Sequence, residues 1–207
     1  MSWEKIFKEK GRFFEKPHED LPKLVRIFKK AKVKRVLDLG CGSGRHVVYL
    51  AKHGFEVYGF DLSKEGIRLA KQWLKEKNLK AKLKVGDMNK KFPYRDKFFD
   101  AIICVQVLHH NTARKIKKVI SEIYRVLKPS GYLFVTVPKS RNVKFQGKKW
   151  KKIGYRTYVP LEGIEKGIPH FYFTKKLIRE FFKDFEILDI HLDRYNHYCI
   201  LMVKGKK

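Results

Sequence analysis

Val36-Leu37-Asp38-Leu39-Gly40-Cys41-Gly42-Ser43-Gly44-Arg45 decides the reading of this chain. Apolar residues run up to an acid, three glycines follow at alternate positions, and a helical pattern begins at once. That order specifies a strand, a tight turn and a helix start, with backbone left bare where a ligand can lie against it. The dinucleotide-binding fingerprint Gly-x-Gly-x-x-Gly, counted from Gly40, needs a third glycine at position 45. Arg45 stands there, which disfavours a nicotinamide-dependent oxidoreductase.

Around this turn the sequence alternates between strand and helix patterns. Leu21, Leu24, Val25 and Phe28 share one helical face ahead of a first strand at 35–39, and Gly54 ends the helix that follows the turn. A second strand at 56–61 precedes Ser63, a helix cap, and a face made by Ile67, Ala70 and Leu74. Strands at 82–86 and 99–105, a helix from Thr112, a stop at Lys128-Pro129-Ser130-Gly131 and a fifth strand at 132–137 continue the series. Five strands separated by helices predict a parallel sheet covered on both faces. After a helix at 174–182, strands at 185–192 and 198–203 are joined so closely that they must be antiparallel.

At 207 residues with 43% hydrophobic content, the chain reads as one globular domain. No apolar run spans a bilayer and the charged start carries no secretory segment, so a cytoplasmic location is expected. Cys41, Cys104 and Cys199 are far apart and form no Cys-x-x-Cys pair, which implies reduced thiols. Forty-nine Lys and Arg against 21 Asp and Glu leave a net charge of +28, a field that draws polyanions to the surface.

The run Asp38-x-Gly40-x-Gly42-x-Gly44 resembles the first motif of class I S-adenosylmethionine-dependent methyltransferases, of the methyltransferase type 11 kind. The likeness covers about residues 33–137. It implies a Rossmann-like seven-stranded sheet in the order 3-2-1-4-5-7-6, strand 7 antiparallel, with helices on both faces. The domain is then 1–207, with residues 1–30 as an N-terminal lid and 139–173 as an insert on the substrate side. The implied cofactor is S-adenosylmethionine. Gly40, Cys41, Gly42 and Gly44 would follow its methionine portion, and Asp38 would orient water or the ammonium group. Asp61, with Leu62 beside it, would take the ribose hydroxyls. Asp87 would accept the adenine amino group, Met88 would pack on the ring, and Val105 and Gln106 would meet the methionine end. Leu127-Lys128-Pro129-Ser130-Gly131 matches the family's Leu-Lys-Pro-Gly-Gly turn with serine in place of one glycine.

The acceptor is less constrained, because methyl transfer from a sulfonium needs alignment more than a fixed catalytic set. His110, in His109-His110-Asn111, and His170, in the insert, are the candidate catalytic residues. Two adjacent histidines without a third ligand make a poor metal site, so none is expected. Cys104-Val105-Gln106-Val107 stands where nucleic-acid amino-group methylation needs Asn-Pro-Pro-Tyr or Asp-Pro-Pro-Tyr, and disfavours that chemistry. The segment 139–156 holds eight Lys or Arg and no acid, interleaved with Phe145, Trp150 and Tyr155, which suits phosphate contact and base stacking on RNA. His170-Phe171-Tyr172-Phe173 resembles the corresponding segment of methyltransferases acting on tRNA wobble uridines. Trp3 and residues 11–18 would fold over the cofactor, Arg12 meeting its carboxylate. An RNA or small-metabolite methyltransferase is therefore the first expectation, and a non-catalytic RNA-binding or partner subunit of the same fold is the alternative.

Overall fold

The computed structural model describes residues 2–139 and 149–205. Two helices, α1 (Trp3–Lys10) and α2 (Leu21–Lys30), precede the first strand. The alternating core then runs β1 (Arg35–Leu39), α3 (Arg45–Lys52), β2 (Glu56–Asp61), α4 (Lys64–Glu76), β3 (Lys82–Val85), β4 (Phe99–Val105), α5 (Ala113–Val126) and β5 (Leu127–Pro138). The insert contributes β6 (Trp150–Gly154), β7 (Thr157–Pro160) and β8 (His170–Phe171), and the chain closes with α6 (Lys175–Phe181), β9 (Phe185–Leu192) and β10 (His197–Lys204).

Seven strands form one sheet in the order β3-β2-β1-β4-β5-β10-β9, with β10 antiparallel to both β5 and β9. This is the expected order, β9 and β10 being the sixth and seventh strands. Alternation along the strands builds two cores. Leu37, Leu39, Ile102, Cys104, Leu133 and Val135 face α5 and α6, while Val36, Ala101, Ile103, Val105 and Phe134 face α2, α3 and α4. Completely buried aromatic residues such as Phe28, Phe99 and Phe134 fill both layers. Among the described residues no helix is long and apolar enough to cross a membrane, and the three cysteines are free and buried.

Two local expectations change. The helix α5 ends at Val126, just ahead of Lys128-Pro129-Ser130-Gly131, but β5 begins at Leu127 and runs through that segment rather than starting at Tyr132. The extra residues are taken up as a bulge, where pairing with β4 shifts between Phe99 and Ala101 and Ser130 adopts φ 59°. The insert is also less irregular than expected, since β6, β7 and β8 pair into a small antiparallel sheet. It is fastened to the main sheet by the Phe173 amide donating to Pro138 O (2.9 Å) and the Phe171 amide donating to His109 O (2.8 Å). Residues 140–148 of the basic segment, Phe145 and Lys148 among them, lie outside the described residues.

Candidate active site

A cleft of about 1100 Å³ opens beyond the carboxyl ends of β1, β2 and β4, where ligands of open α/β sheets bind. Its volume stands at the upper end of small-ligand pockets, which run to roughly 1,000 Å³. Its wall contains Gly40, Cys41, Gly42, Asp61, Leu62, Asp87, Met88, Val105 and Gln106, and continues to His110 and His170. Most of the sequence-derived site therefore converges on one space.

The glycine turn makes its close approaches in left-handed backbone. Gly40 has φ 78°, and a side-chain carbon there would lie 2.4 Å from Val107 Cγ1. Gly42 has φ 50° and would meet the Phe7 ring of α1 at 2.8 Å. The N-terminal helix thus lies directly on the turn. It is anchored by the Glu4 carboxylate, which accepts from Ser63 Oγ (2.7 Å) and the Glu65 amide (3.1 Å) at the start of α4.

Asp61 does two structural jobs. Its Oδ2 accepts from the Gly42 amide and its Oδ1 from the Ser63 amide, both at 2.8 Å. Burial raises its pKa, and those two amide bonds offset part of the rise. Each oxygen keeps capacity for a further donor, so the carboxylate can hold the turn and a ligand hydroxyl together. Asp87 accepts from the Asn89 amide (2.8 Å) and side chain (2.9 Å), a self-closing turn that presents the acid to the cleft.

Two expected residues do not line the cleft. Alternation along β1 puts Asp38 on the Val36 face, beneath α3, where it is 1% exposed. Among the described residues neither of its oxygens has a hydrogen-bond partner, and His46 Nδ1 stands 3.8 Å from Oδ2, too far for a hydrogen bond. Gly44 caps α3, and its contact is with Ala70 of α4, at 2.7 Å from a built side-chain carbon. Arg12 is also misplaced: its guanidinium bonds to Glu76 and lies over the Trp73 ring (5.2 Å), away from the cleft wall.

Arg45 is the cation of the wall beside the glycine turn. Its Nη2 donates to Gln106 Oε1 (3.1 Å), Nη1 donates to Lys16 O (3.4 Å), and the guanidinium lies 5.1 Å from the Phe14 ring. The sequence marked Arg45 only as a misfit to another motif. Its position one residue after the glycine turn, on the first turn of a helix, was the available signal. Gln106 is held in left-handed backbone (φ 60°) by its amide donating to Thr136 Oγ1 (2.8 Å), a strained conformation of the kind that gathers at functional sites.

At the far end the insert brings a third imidazole to His109-His110. The rings of His110 and His170 lie 4.7 Å apart, those of His109 and His110 4.1 Å. Trp3 Nε1 donates to His110 Nδ1 (3.3 Å) and Trp150 packs edge-on against His170. Trp150 therefore faces the cleft wall, whereas Tyr155 is 67% exposed and holds the outer surface. Burial first, and then the neighbouring His170, push the His110 pKa down to about 3, so His110 is a neutral hydrogen-bonding group and a weak base. Burial drives His109 the same way. Glu165, which sequence reasoning missed, places Oε2 3.1 Å from His170 Nε2.

The glycine turn and the three central strand ends fall within residues 36–131, which match a family model described as a methyltransferase domain. An uncharacterized methyltransferase of Synechocystis is 35% identical over 98 residues, which are 47% of this chain and 44% of that protein. The tRNA (carboxymethyluridine(34)-5-O)-methyltransferase of Arabidopsis thaliana is 36% identical over 103 residues, 49% of this chain and 23% of the relative. The chain thus covers less than half the length of these relatives. A crystal structure of the PH0226 protein from Pyrococcus horikoshii superposes with a TM-score of 0.76 at 23% identity, over 97% of this chain and 99% of that one. At that identity the likeness concerns the fold.

Proposed function

We infer that the chain is a class I S-adenosylmethionine-dependent methyltransferase, an enzyme that moves a methyl group from S-adenosylmethionine to an acceptor held near His110 and His170. The observation that carries the reading is the opening of Gly40, Gly42, Asp61 and Asp87 onto one cleft that continues to the histidines.

The residues suit the cofactor. Bare backbone at Gly40 and Gly42 admits a close ligand, Asp61 retains acceptor capacity, and Asp87 with Met88 offers an acid beside an apolar side chain. Arg45 supplies a cation for a carboxylate group. The unpartnered Asp38 carboxylate lies just ahead of the turn, and a buried charge of that sign favours a positive group nearby. Bound S-adenosylmethionine supplies a methyl group already activated on a sulfonium. The chain's task is alignment, and Trp3 and Phe7 from α1 and Trp150 from the insert give the cleft an apolar lining. A base is required only where the acceptor must lose a proton.

RNA is the acceptor class that the charge supports. Lys149, Lys151 and Lys152 are exposed beside the cleft, next to exposed Tyr155, on a chain of net charge +28. The relative that acts on carboxymethyluridine in tRNA agrees with this class. A small metabolite is the second reading, favoured by the enclosure of the histidines under Trp3 and Trp150. A cytoplasmic location belongs to the same reading, given three free, buried cysteines.

Calorimetric titration with S-adenosylhomocysteine tests the cofactor, and mass spectrometry of extract fractions after incubation with labelled S-adenosylmethionine tests the acceptor. Binding together with label in an RNA fraction supports the full reading. Label in small molecules moves the acceptor to the second reading, and no heat with either cofactor form removes the assignment.

A further inference from the structure

Three imidazoles and a carboxylate meet in the cleft wall, outside the glycine turn and the strand-end acids to which the proposed function gives the cofactor. One ring nitrogen each of His109, His110 and His170 lie within 4.8 Å of one another. Glu165 reaches two of these rings, with Oε2 3.1 Å from His170 Nε2 and Oε1 3.7 Å from His110 Nε2. The pair after β4 and the insert are locked together by the Phe171 amide donating to His109 O. The missing third ligand that made a metal site a poor expectation from sequence is therefore supplied by β8. We propose that His109, His110, His170 and Glu165 form a binding site for a divalent transition-metal ion of the zinc or cobalt kind.

Hydrogen-bond chemistry singles this cluster out. His170 Nδ1 lies 2.9 Å from Ile168 O, which only accepts, so Nδ1 carries the hydrogen and the Nε2 lone pair of the neutral ring faces the cluster. A backbone carbonyl holding one ring nitrogen while the other faces a metal is the usual support of a ligating histidine. That lone pair also faces the Glu165 carboxylate at hydrogen-bond distance. Two electron-rich atoms so placed need a proton or a cation between them. His109 Nδ1 and His110 Nε2 are buried and, among the described residues, lack hydrogen-bond partners, a costly state for polar atoms. A coordinated ion would satisfy these atoms together. Three imidazoles and one carboxylate suit zinc, cobalt or nickel, whereas magnesium and calcium prefer all-oxygen sites. With Glu165 as ligand the tetrahedral set is complete, and with Glu165 as an outer partner one position faces the cleft.

The site is coupled to the N-terminal helix. An indole N–H only donates, so His110 Nδ1 accepts from Trp3, and the neutral ring keeps its hydrogen on Nε2. Ligation through Nδ1 takes the lone pair that Trp3 now holds. Ligation through Nε2 moves that hydrogen to Nδ1, where it confronts the indole N–H. Either route ends the Trp3–His110 bond, so metal binding frees Trp3 from a ring it lies 5.5 Å from.

The proposal does not rest on methyl transfer, because metal binding is read without cofactor or acceptor. The test uses untagged, chelator-treated full-length protein titrated with Co²⁺, followed by equilibrium dialysis, visible absorption and tryptophan emission. The expected result is one tightly bound equivalent with the absorption of a four-coordinate site, and an emission change that is smaller in Trp3→Phe, the remainder coming from Trp150, whose ring lies 5.2 Å from His170. His170→Ala should weaken binding by more than the roughly tenfold to hundredfold that loss of an outer-shell partner costs. Glu165→Gln, at a partly exposed position, gives the same reading should His170→Ala fail to fold, with a loss of roughly tenfold to hundredfold. His18→Ala tests the second cluster, His18 with Asp20 and Cys199, and should leave the equivalent bound. No cobalt bound, full affinity in Glu165→Gln, or an emission change undiminished in Trp3→Phe would each overturn the proposal.

Discussion

Asp61 holds the glycine turn from the neighbouring strand: its Oδ2 accepts the Gly42 amide at 2.8 Å. The carboxylate that faces the cleft therefore also sets the backbone on which a ligand would rest, and its second oxygen fixes Ser63 at the start of α4. Binding and local order are joined in one side chain.

Asp61→Ala should consequently cost both. Hydrogen bonds to a charged group are worth roughly 1.5–3 kcal/mol, so affinity for S-adenosylhomocysteine should fall about tenfold to a hundredfold. Stability should drop by about 1–3 kcal/mol, because two amides near the turn lose their acceptor. Calorimetry and urea titration read the two effects separately. A folded variant with unchanged affinity would take Asp61 out of the binding site.

Gly40 tests the turn from the steric side. Gly40→Ala sets a side-chain carbon 2.4 Å from Val107 Cγ1 in backbone at φ 78°, and should destabilise by about 2–3 kcal/mol. Adding Val107→Ala removes the two γ-methyl contacts and leaves the Val107 Cβ at 2.9 Å together with the backbone strain. The double variant should then be less destabilised than the sum of the two singles, which a denaturant double-mutant cycle measures. Strict additivity would show that Val107 is not what limits this position.

The sheet and the glycine turn were legible because they rest on local chemistry. Strand alternation, helix caps and glycine spacing fixed β1 at 35–39 and the acids at the strand ends, while the order of strands came from the resemblance to the methyltransferase family. What escaped the sequence is decided by which face a side chain takes or by distant partners. Asp38 carries the motif's acid, yet alternation turns it under α3 toward His46. Arg12 is captured by Glu76 and Trp73, and Arg45, beside the glycine turn, lines the cleft instead. Glu165 joins the histidines only because β8 docks on the loop after β4, a contact between positions 109 and 171 that no local pattern encodes.

Asp193 gives the fold an acid-sensitive clasp. Burial would raise its pKa, but hydrogen bonds from the rings of His18 and His197 and from the His197 amide outweigh that and hold it far below the usual carboxylate range. A folded pKa below the unfolded value of about 3.9 contributes stability above that pH, and the contribution is lost as pH falls toward the folded value. Asp193→Asn should lower stability at neutral pH and flatten the decline below about pH 5. Thermal melts across an acid series measure this, and parallel curves for the two proteins would assign the acid sensitivity elsewhere.

The positive surface yields the last prediction. If RNA is the acceptor, Lys149, Lys151 and Lys152 neutralise phosphates and release counterions, so affinity falls with salt at about −0.7 in log–log slope per phosphate contacted on a single strand. These lysines are exposed on or beside β6, while the glycine turn lies in another part of the cleft. Replacing all three with Gln should flatten the slope by about 2 if each meets one phosphate, and leave S-adenosylhomocysteine affinity unchanged. Tyr155→Ala should weaken RNA binding by roughly 1–3 kcal/mol if its exposed ring stacks a base. Trp150→Ala should instead change turnover, because its ring lies 5.2 Å from His170 in the cleft wall. A salt series of RNA binding for wild type and the triple variant decides the matter. Equal slopes would make these lysines a solvated rim and give the small metabolite the stronger claim as acceptor.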